Sequence, residues 1–213
     1  MLTGSLYIIS APSGAGKTSM ISELIKQNAG IKVAISHTTR PIRRGEENGK
    51  HYHFTTLKDF KSKIEQAHFL EYAEVFGNYY GTSNQAINDQ LESDHDVILE
   101  IDWQGAQQVR KLRPDAISIF ILPPSVDALE QRLCGRKQDS EEVIKTRVKQ
   151  SCDDICHSNE FDYIIINDDF DNAVQDLASI FKCNNLRLAN QQQRHREFLA
   201  TVAKAASAHN SSE

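Results

Sequence analysis

Residues 10–18 of this chain read Ser-Ala-Pro-Ser-Gly-Ala-Gly-Lys-Thr, and they leave few folds open. An apolar run from Leu6 to Ile9 precedes them, and an amphipathic run begins at Met20. A strand, a glycine-rich turn and a helix in that order form a phosphate-binding loop. Gly14 and Gly16 let the backbone bend so that successive N–H groups point at one anion. The positive end of the following helix adds to the attraction. Lys17 brings a mobile charge to the outer phosphates, and the Thr18 hydroxyl suits the shell of a Mg²⁺ ion that keeps most of its waters. Ala11, Pro12, Ser13, Gly14, Ala15, Gly16, Lys17 and Thr18 are therefore candidate ligands of a nucleoside triphosphate. Ala11 stands where the usual pattern has its first glycine, a sterically mild departure. The loop does not say where the phosphate goes.

Beyond it, short continuous apolar runs at 6–10, 97–101, 116–122 and 163–166 read as strands buried on both faces. Helical patterns follow each of them, at 17–28, 104–112, 126–133 and 170–182. Alternation of this kind predicts an α/β fold with a parallel sheet flanked by helices. Two stretches interrupt it. Residues 35–84 are rich in Arg, Gly, His and Tyr, with a β-like piece at 52–55 and a short helix at 57–66. Residues 127–159 are charged and helical. Inserts that leave a core pattern intact are expected to be binding flaps or lids. The predicted organisation is a core of 1–34, 85–126 and 160–183, an insert at 35–84, a lid at 127–159 and a helical tail at 184–213.

The 213 residues suffice for one core with inserts. A net charge of −5 argues against a general nucleic-acid binder. Basic residues nevertheless cluster at Arg40, Arg43, Arg44 and Lys50, and again at Arg132, Arg136 and Lys137, which points to a small anionic ligand. No apolar run approaches the roughly 20 residues of a membrane span, and the N-terminal residues lack the pattern of a signal peptide. Cys134, Cys152, Cys156 and Cys183 do not form a disulfide framework by spacing. Cys152, Cys156 and His157 lie in a helical segment without a fourth ligand at zinc spacing. A reducing cytoplasm is the expected location.

The first insert carries a second constellation. Arg40 and Arg43 suit a fork for a second phosphate, because guanidinium groups bind phosphate bidentately. Tyr52 and Tyr80 offer hydroxyls to it, or rings to pack against. Glu71, ionised, holds only acceptors, so it matches the adjacent N–H groups on one edge of guanine and meets adenine N1 poorly. Ser36 and Thr82 are placed to donate to a ring carbonyl.

Thr38, Thr39, Arg40, Arg43, Glu46, Gly49, Tyr52 and Phe54, at these spacings, resemble the signature of guanylate kinases. So do the runs at 77–81 (Gly-Asn-Tyr-Tyr-Gly), 99–105 (Leu-Glu-Ile-Asp-Trp-Gln-Gly), 123–125, 132–136 and 166–169. The likeness covers about 6–181 and is closest to enzymes of bacterial type. It implies a P-loop NTPase core with a GMP-binding insert and a helical lid, in one guanylate kinase-like domain over about 4–182. By resemblance, Ser36, Arg40, Arg43, Glu46, Tyr52, Glu71, Tyr80, Thr82 and Asp102 line the GMP site. Arg40, Arg43, Tyr52 and Tyr80 hold its phosphate; Glu71, Ser36, Thr82 and Asp102 read its base. Glu46, being negative, is better suited to orienting an arginine. Glu100 and Asp102 end a strand as carboxylates that organise the Mg²⁺ water shell, with Thr18.

Arg132, Arg136 and Arg147 resemble the lid and hinge arginines that close on the triphosphate; Lys137 stands where the family often has glycine. Asn167, with Asp168, falls near the adenosine end. The resemblance implies the reaction ATP + GMP ⇌ ADP + GDP, with Mg²⁺, with dGMP as a further acceptor, and with Lys17, Arg40, Arg136 and Arg147 as catalytic residues. The partners are then small nucleotides, with neither nucleic acid nor membrane, and a homo-oligomer is left open. Two alternatives stay open: a silent guanylate-kinase-like binding module, and a P-loop kinase with another acceptor.

Overall fold

The computed structural model describes residues 4–75, 77–134 and 141–210, with the side chains of 141–145 and 205–210 outside the description. Strand β1 (Leu6–Ser10) is buried at every position, as a strand covered on both faces must be. It occupies the middle of a five-stranded sheet. Its neighbours are β7 (Asp96–Glu100) and β8 (Ile117–Leu122), with β2 (Ile31–Val33) and β9 (Tyr163–Ile166) at the edges. Every pairing in this sheet is parallel: Ile8 faces Leu99 on one side and Ser118 on the other. The carboxyl ends of all five strands therefore lie along one edge, where open α/β sheets bind ligands.

Side chains alternate across the sheet. Leu6, Ile8, Val97 and Leu99 enter one buried cluster with Ile87 and Leu91 from helix α3 (Asn84–Glu92) and Ala106 and Val109 from α4 (Trp103–Leu112). Tyr7, Ile9 and Ile98 are equally buried, on the opposite face by the same alternation. Helix α1 (Lys17–Gln27) buries Met20, Ile21 and Leu24, a one-face pattern at helical spacing. Removing a side chain as large as Leu99 from such a site costs about 2–5 kcal/mol.

The first insert is a second sheet of four strands, in the order β4-β3-β6-β5. It comprises β3 (His37–Thr38), β4 (His53–Phe54), β5 (Phe69–Val75) and β6 (Asn78–Ser83). Between β4 and β5 runs α2 (Leu57–Glu65), capped by Thr56, whose hydroxyl oxygen accepts from the Asp59 N–H. The sequence signalled only β4 and α2 here. It also passed over β2, a three-residue edge strand with Lys32 exposed, and α3, which Ser83 caps. On α4, the Gln108 side chain completes the free edge of β5. Its amide donates to the Tyr72 carbonyl at 2.7 Å, and its oxygen accepts from the Tyr72 N–H at 3.2 Å. The core thus grips the insert through a side-chain amide that takes the place of another strand.

The second insert holds α5 (Val126–Cys134) and α6 (Glu141–Cys156). Cys152 and Cys156 sit on α6, followed by His157 and a single 3-10 turn at Ser158–Glu160. Helix α7 (Phe170–Asn185) comes next. The chain divides into two compact units, Met1–Val174 and Gln175–Glu213. In the second, α8 (Leu188–Arg194) is tied to the end of α7 by Asn190 and Gln191, whose amides donate to the Asn184 and Asn185 carbonyls; α9 (Arg196–Asn210) follows. No helix among the described residues is long and apolar enough to cross a membrane.

Within the insert sheet, His37 of β3 packs against His53, His68 and Phe69, with ring centroids 4.8, 5.5 and 5.4 Å away. Its Nδ1 is buried without a hydrogen-bond partner among the described residues. Burial first, then the charges of His53, Lys63 and His68, push its pKa down to about 4. A histidine lowered in the folded state supplies stability that is whole above its unfolded pKa of about 6.5 and is lost as pH falls towards 4. Thermal unfolding between pH 7 and pH 4 should show a steeper loss of Tm for the native chain than for His37→Phe. Parallel profiles would contradict this.

Candidate active site

The loop after β1 sits at the carboxyl edge of the parallel sheet. Gly14 and Gly16 take φ of 92° and 96°, a region that side chains with a Cβ avoid. Gly16 caps α1 without a side-chain hydrogen bond, and the first turn of α1 carries no acidic residue. The first-turn amides thus keep their capacity for an outside acceptor, and the helix dipole favours an anion there. The loop bounds a cavity of about 270 Å³, lined also by Ser19, Val75, Asp102 and Asp154.

Neighbouring strand ends lock this loop in place. Lys17 Nζ donates to the Ile101 carbonyl at 3.2 Å, and the Thr18 hydroxyl donates to Glu100 Oε1. Asn167, just past β9 and 4% exposed, donates its amide to the Ala15 carbonyl at 2.7 Å. Its Nδ2 lies 2.4 Å from where a Cβ on Gly16 would be, so no side chain fits there. Arg132 Nη2 donates to the Asn167 carbonyl at 2.9 Å. Both residues, expected at the triphosphate, are here bonded into the support of the loop. Arg147 lies partly buried on α6. Arg136, with Lys137, lies outside the described residues.

The insert gathers two clusters on one face. In the first, Glu46 holds Arg40 by two bonds, Nη2 to Oε1 at 2.7 Å and Nη1 to Oε2 at 3.1 Å. Glu46 also accepts from the Arg43 N–H at 2.7 Å, while the Arg43 side chain is exposed. The Arg40 guanidinium lies 5.4 Å from the centre of the Tyr52 ring, and Tyr52 and Tyr80 pack edge to face at 5.9 Å. Burial opposes the Arg40 charge; its hydrogen bonds and charge partner Glu46 outweigh that and raise its pKa. The bond from Arg40 holds the Glu46 carboxyl below its ordinary range. Burial, then the Glu100 charge, push the Tyr52 hydroxyl up to about 12, so it remains a donor.

In the second cluster, Thr82 donates its hydroxyl to Glu71 Oε1 at 2.6 Å, and Ser36 Oγ lies 2.9 Å from Thr82 Oγ1. Tyr80 and Thr82 are two residues apart on β6. They therefore share a face and set the two clusters about 7 Å apart along the strand. A bulge in β5 between Phe69 and Glu71 breaks the alternation. It allows Leu70 to enter the core while Glu71 turns to Thr82.

Glu71 is only 3% exposed. Burial raises its pKa to about 7 against the Thr82 hydrogen bond, and the nearby Asp102 raises it further. Asp102 caps α4, its Oδ1 accepting from the Gly105 N–H at 2.9 Å. It also lines the cavity bounded by the glycine-rich loop, so it stands between that cavity and Glu71.

Asp154 is not among the residues that the sequence singles out. Burial, then the Asp102 charge, push its carboxyl up to about 6, against a hydrogen bond from Trp103 and the charges of Lys17 and His157. Trp103 and His157 stack at 3.5 Å, 7° from parallel. His157 Nδ1 meets Glu160 Oε1 at 2.6 Å. This network seats the end of α6 on α4. Trp103 lies 51 to 57 residues before Asp154, His157 and Glu160, so no local motif announces the network.

A family model described as guanylate kinase matches residues 3–184. The chain is 56% identical to the guanylate kinase of Hahella chejuensis over 194 residues, which is 91% of this chain and 93% of that one. It is 55% identical to the guanylate kinase of Pseudomonas fluorescens over 200 residues, 94% and 97% of the two chains. Its fold is similar to the crystal structure of guanylate kinase from Anaplasma phagocytophilum, with a TM-score of 0.74 at 28% identity, over 88% of this chain and 89% of that one.

A raised carboxylate pKa makes the folded state bind protons more tightly than the unfolded chain, so Glu71 costs stability as pH rises from 4.5 to 7. Glu71→Gln should raise stability by an amount on the order of 1–3 kcal/mol at pH 8, and by much less at pH 4.5. Denaturant unfolding at both pH values checks this; equal effects at the two would contradict it.

Proposed function

The chain belongs to the guanylate kinase family, and we propose that it moves the γ-phosphoryl group of ATP to the phosphate of GMP by the following arrangement. The loop at 11–18 holds the triphosphate through backbone amides, and Lys17 brings charge to its outer phosphates. Arg40, aimed by Glu46, grips the acceptor phosphate with Tyr52, Tyr80 and the exposed Arg43. Glu71 and Asp102 accept from the guanine edge, while Thr82 and Ser36 complete the polar pocket. The pairing of a carboxylate raised chiefly by its burial with an arginine cluster one strand-step away carries this reading. It fits a nucleoside monophosphate with a donor-rich base edge. The base and the phosphate are read, so dGMP is proposed as an acceptor too.

The acceptor oxygen is already largely ionised near neutral pH, since a second phosphate pKa lies near 6. No strong general base is required. Alignment and charge neutralisation carry the rate. Arg132 and Asn167 act by bracing the loop. Arg147 and Arg136 are proposed to serve the lid, whose closure would exclude water.

Thr18 and Asp102 bring hard oxygen atoms to the cavity, and Glu100 is bonded to the Thr18 hydroxyl. That donor set fits Mg²⁺, which is held by few protein groups and otherwise by phosphate and water. When bound, the ion neutralises charge on the phosphates. Four unpaired thiols and nucleotide substrates fit the cytoplasm.

Lys17→Ala should lower turnover by about two orders of magnitude or more while leaving the Tm close to that of the native chain. Near-normal turnover in a coupled ADP assay would remove Lys17 from the mechanism. A carboxyl group of pKa about 7 must ionise to receive the guanine N–H groups, so the GMP KM should rise about tenfold between pH 8 and pH 6. In Glu71→Gln that rise should shrink to what the phosphate of GMP itself contributes. Identical profiles would refute base reading by Glu71.

A further inference from the structure

Gly105 lies between the two carboxylates assigned to the base. Its N–H donates to Asp102 Oδ1 at 2.9 Å. On its other side, a Cβ built at this position would stand 2.7 Å from Glu71 Oε2 and 3.4 Å from Glu71 Cδ. We infer that Gly105 is a positioning residue for acceptor specificity, because the absence of a side chain there lets Glu71 hold its carboxylate in the base pocket. The inference rests on the reading of Glu71 given above and extends it to a residue that touches no substrate.

Three observations carry it. The first is that Gly105 does not owe its presence to backbone conformation. It lies in the first turn of α4 and does not have a positive φ, and such a helix position favours alanine over glycine. The second is that strand β5 cannot back away from a larger residue. Gln108, one turn further along α4, binds both the N–H and the carbonyl of Tyr72, and residues three apart share a helix face. The gap between α4 and β5 is thereby fixed beside Glu71.

The third is that the atom in conflict is the far end of the Glu71 side chain. The next atom, Ile101 Cδ1 at 3.3 Å, needs to give only slightly. A methyl group at 105 therefore displaces a carboxylate and spares the fold. Glu71 is buried and bonded to Thr82, so displacement costs it that bond and its aim together.

Gly105→Ala should raise the GMP KM about tenfold to a hundredfold, as expected for a lost hydrogen bond to a charged group. The KM for ATP and the Tm should stay near native values. In a Glu71→Ala background, where there is nothing to displace, adding Gly105→Ala should change the GMP KM little further. If Glu71→Ala proves too weak to assay, Glu71→Asp serves, because its shorter arm draws the carboxylate back from position 105. An unchanged GMP KM in Gly105→Ala overturns the inference. So does an equal penalty in both backgrounds, and so does a collapse in Tm, which would make Gly105 a packing residue. Glu71→Ala with a native GMP KM would instead refute the base reading itself. A defective Glu71→Ala beside a silent Gly105→Ala sinks only the role of Gly105.

Discussion

Two phosphate groups that must meet repel each other, and the placement of charge in this molecule answers that repulsion. The chain as a whole carries −5, so the positive field has to be local. In the proposed arrangement it comes from the uncapped start of α1, from Lys17 and from the arginine held by Glu46. None of these would keep its position on a flexible loop. The parallel sheet supplies the rigidity by bringing its strand ends to one edge. Lys17 and Thr18 are fastened to the end of β7, and Ala15 to the residue after β9.

Helix α4 then connects this loop to the cluster around Glu71. It starts at Asp102, directly beyond the strand end that anchors Lys17 and Thr18. Its first turn leaves room for Glu71, its second pairs with the edge of β5, and Trp103 receives the end of α6 through His157 and Asp154. Helix α4 thus meets both the second sheet and the end of α6. Burial of Glu71 and Asp154 raises both carboxyls, an arrangement that costs stability and makes sense where function needs it.

What the sequence disclosed follows from the range of the interactions involved. The phosphate loop is made by adjacent residues, so it was legible at once. The central strands were legible as continuous apolar runs because both their faces are covered. β2 was too short and too polar. The hairpin of β5 and β6 was hidden by polar residues and by the bulge at Leu70, which breaks the alternation that marks a strand. Chemistry and resemblance single out Glu71, Arg40 and Tyr80 as candidates and suit Glu46 to orienting an arginine; the two bonds by which it holds Arg40 appear only in the fold. The roles of Gly105, Asn167 and Asp154 are set by partners 34, 152 and 51 residues away, namely Glu71, Ala15 and Trp103. No local pattern encodes such pairings.

The most direct measurement offers purified protein ATP with Mg²⁺ and, in turn, GMP, dGMP, AMP, UMP and CMP, while ADP formation is followed. Rapid turnover with the two guanine nucleotides and little with the other three is the expected result. Equal use of AMP, or no acceptor-dependent ADP at all, would contradict the assignment of the insert as a guanine-reading site.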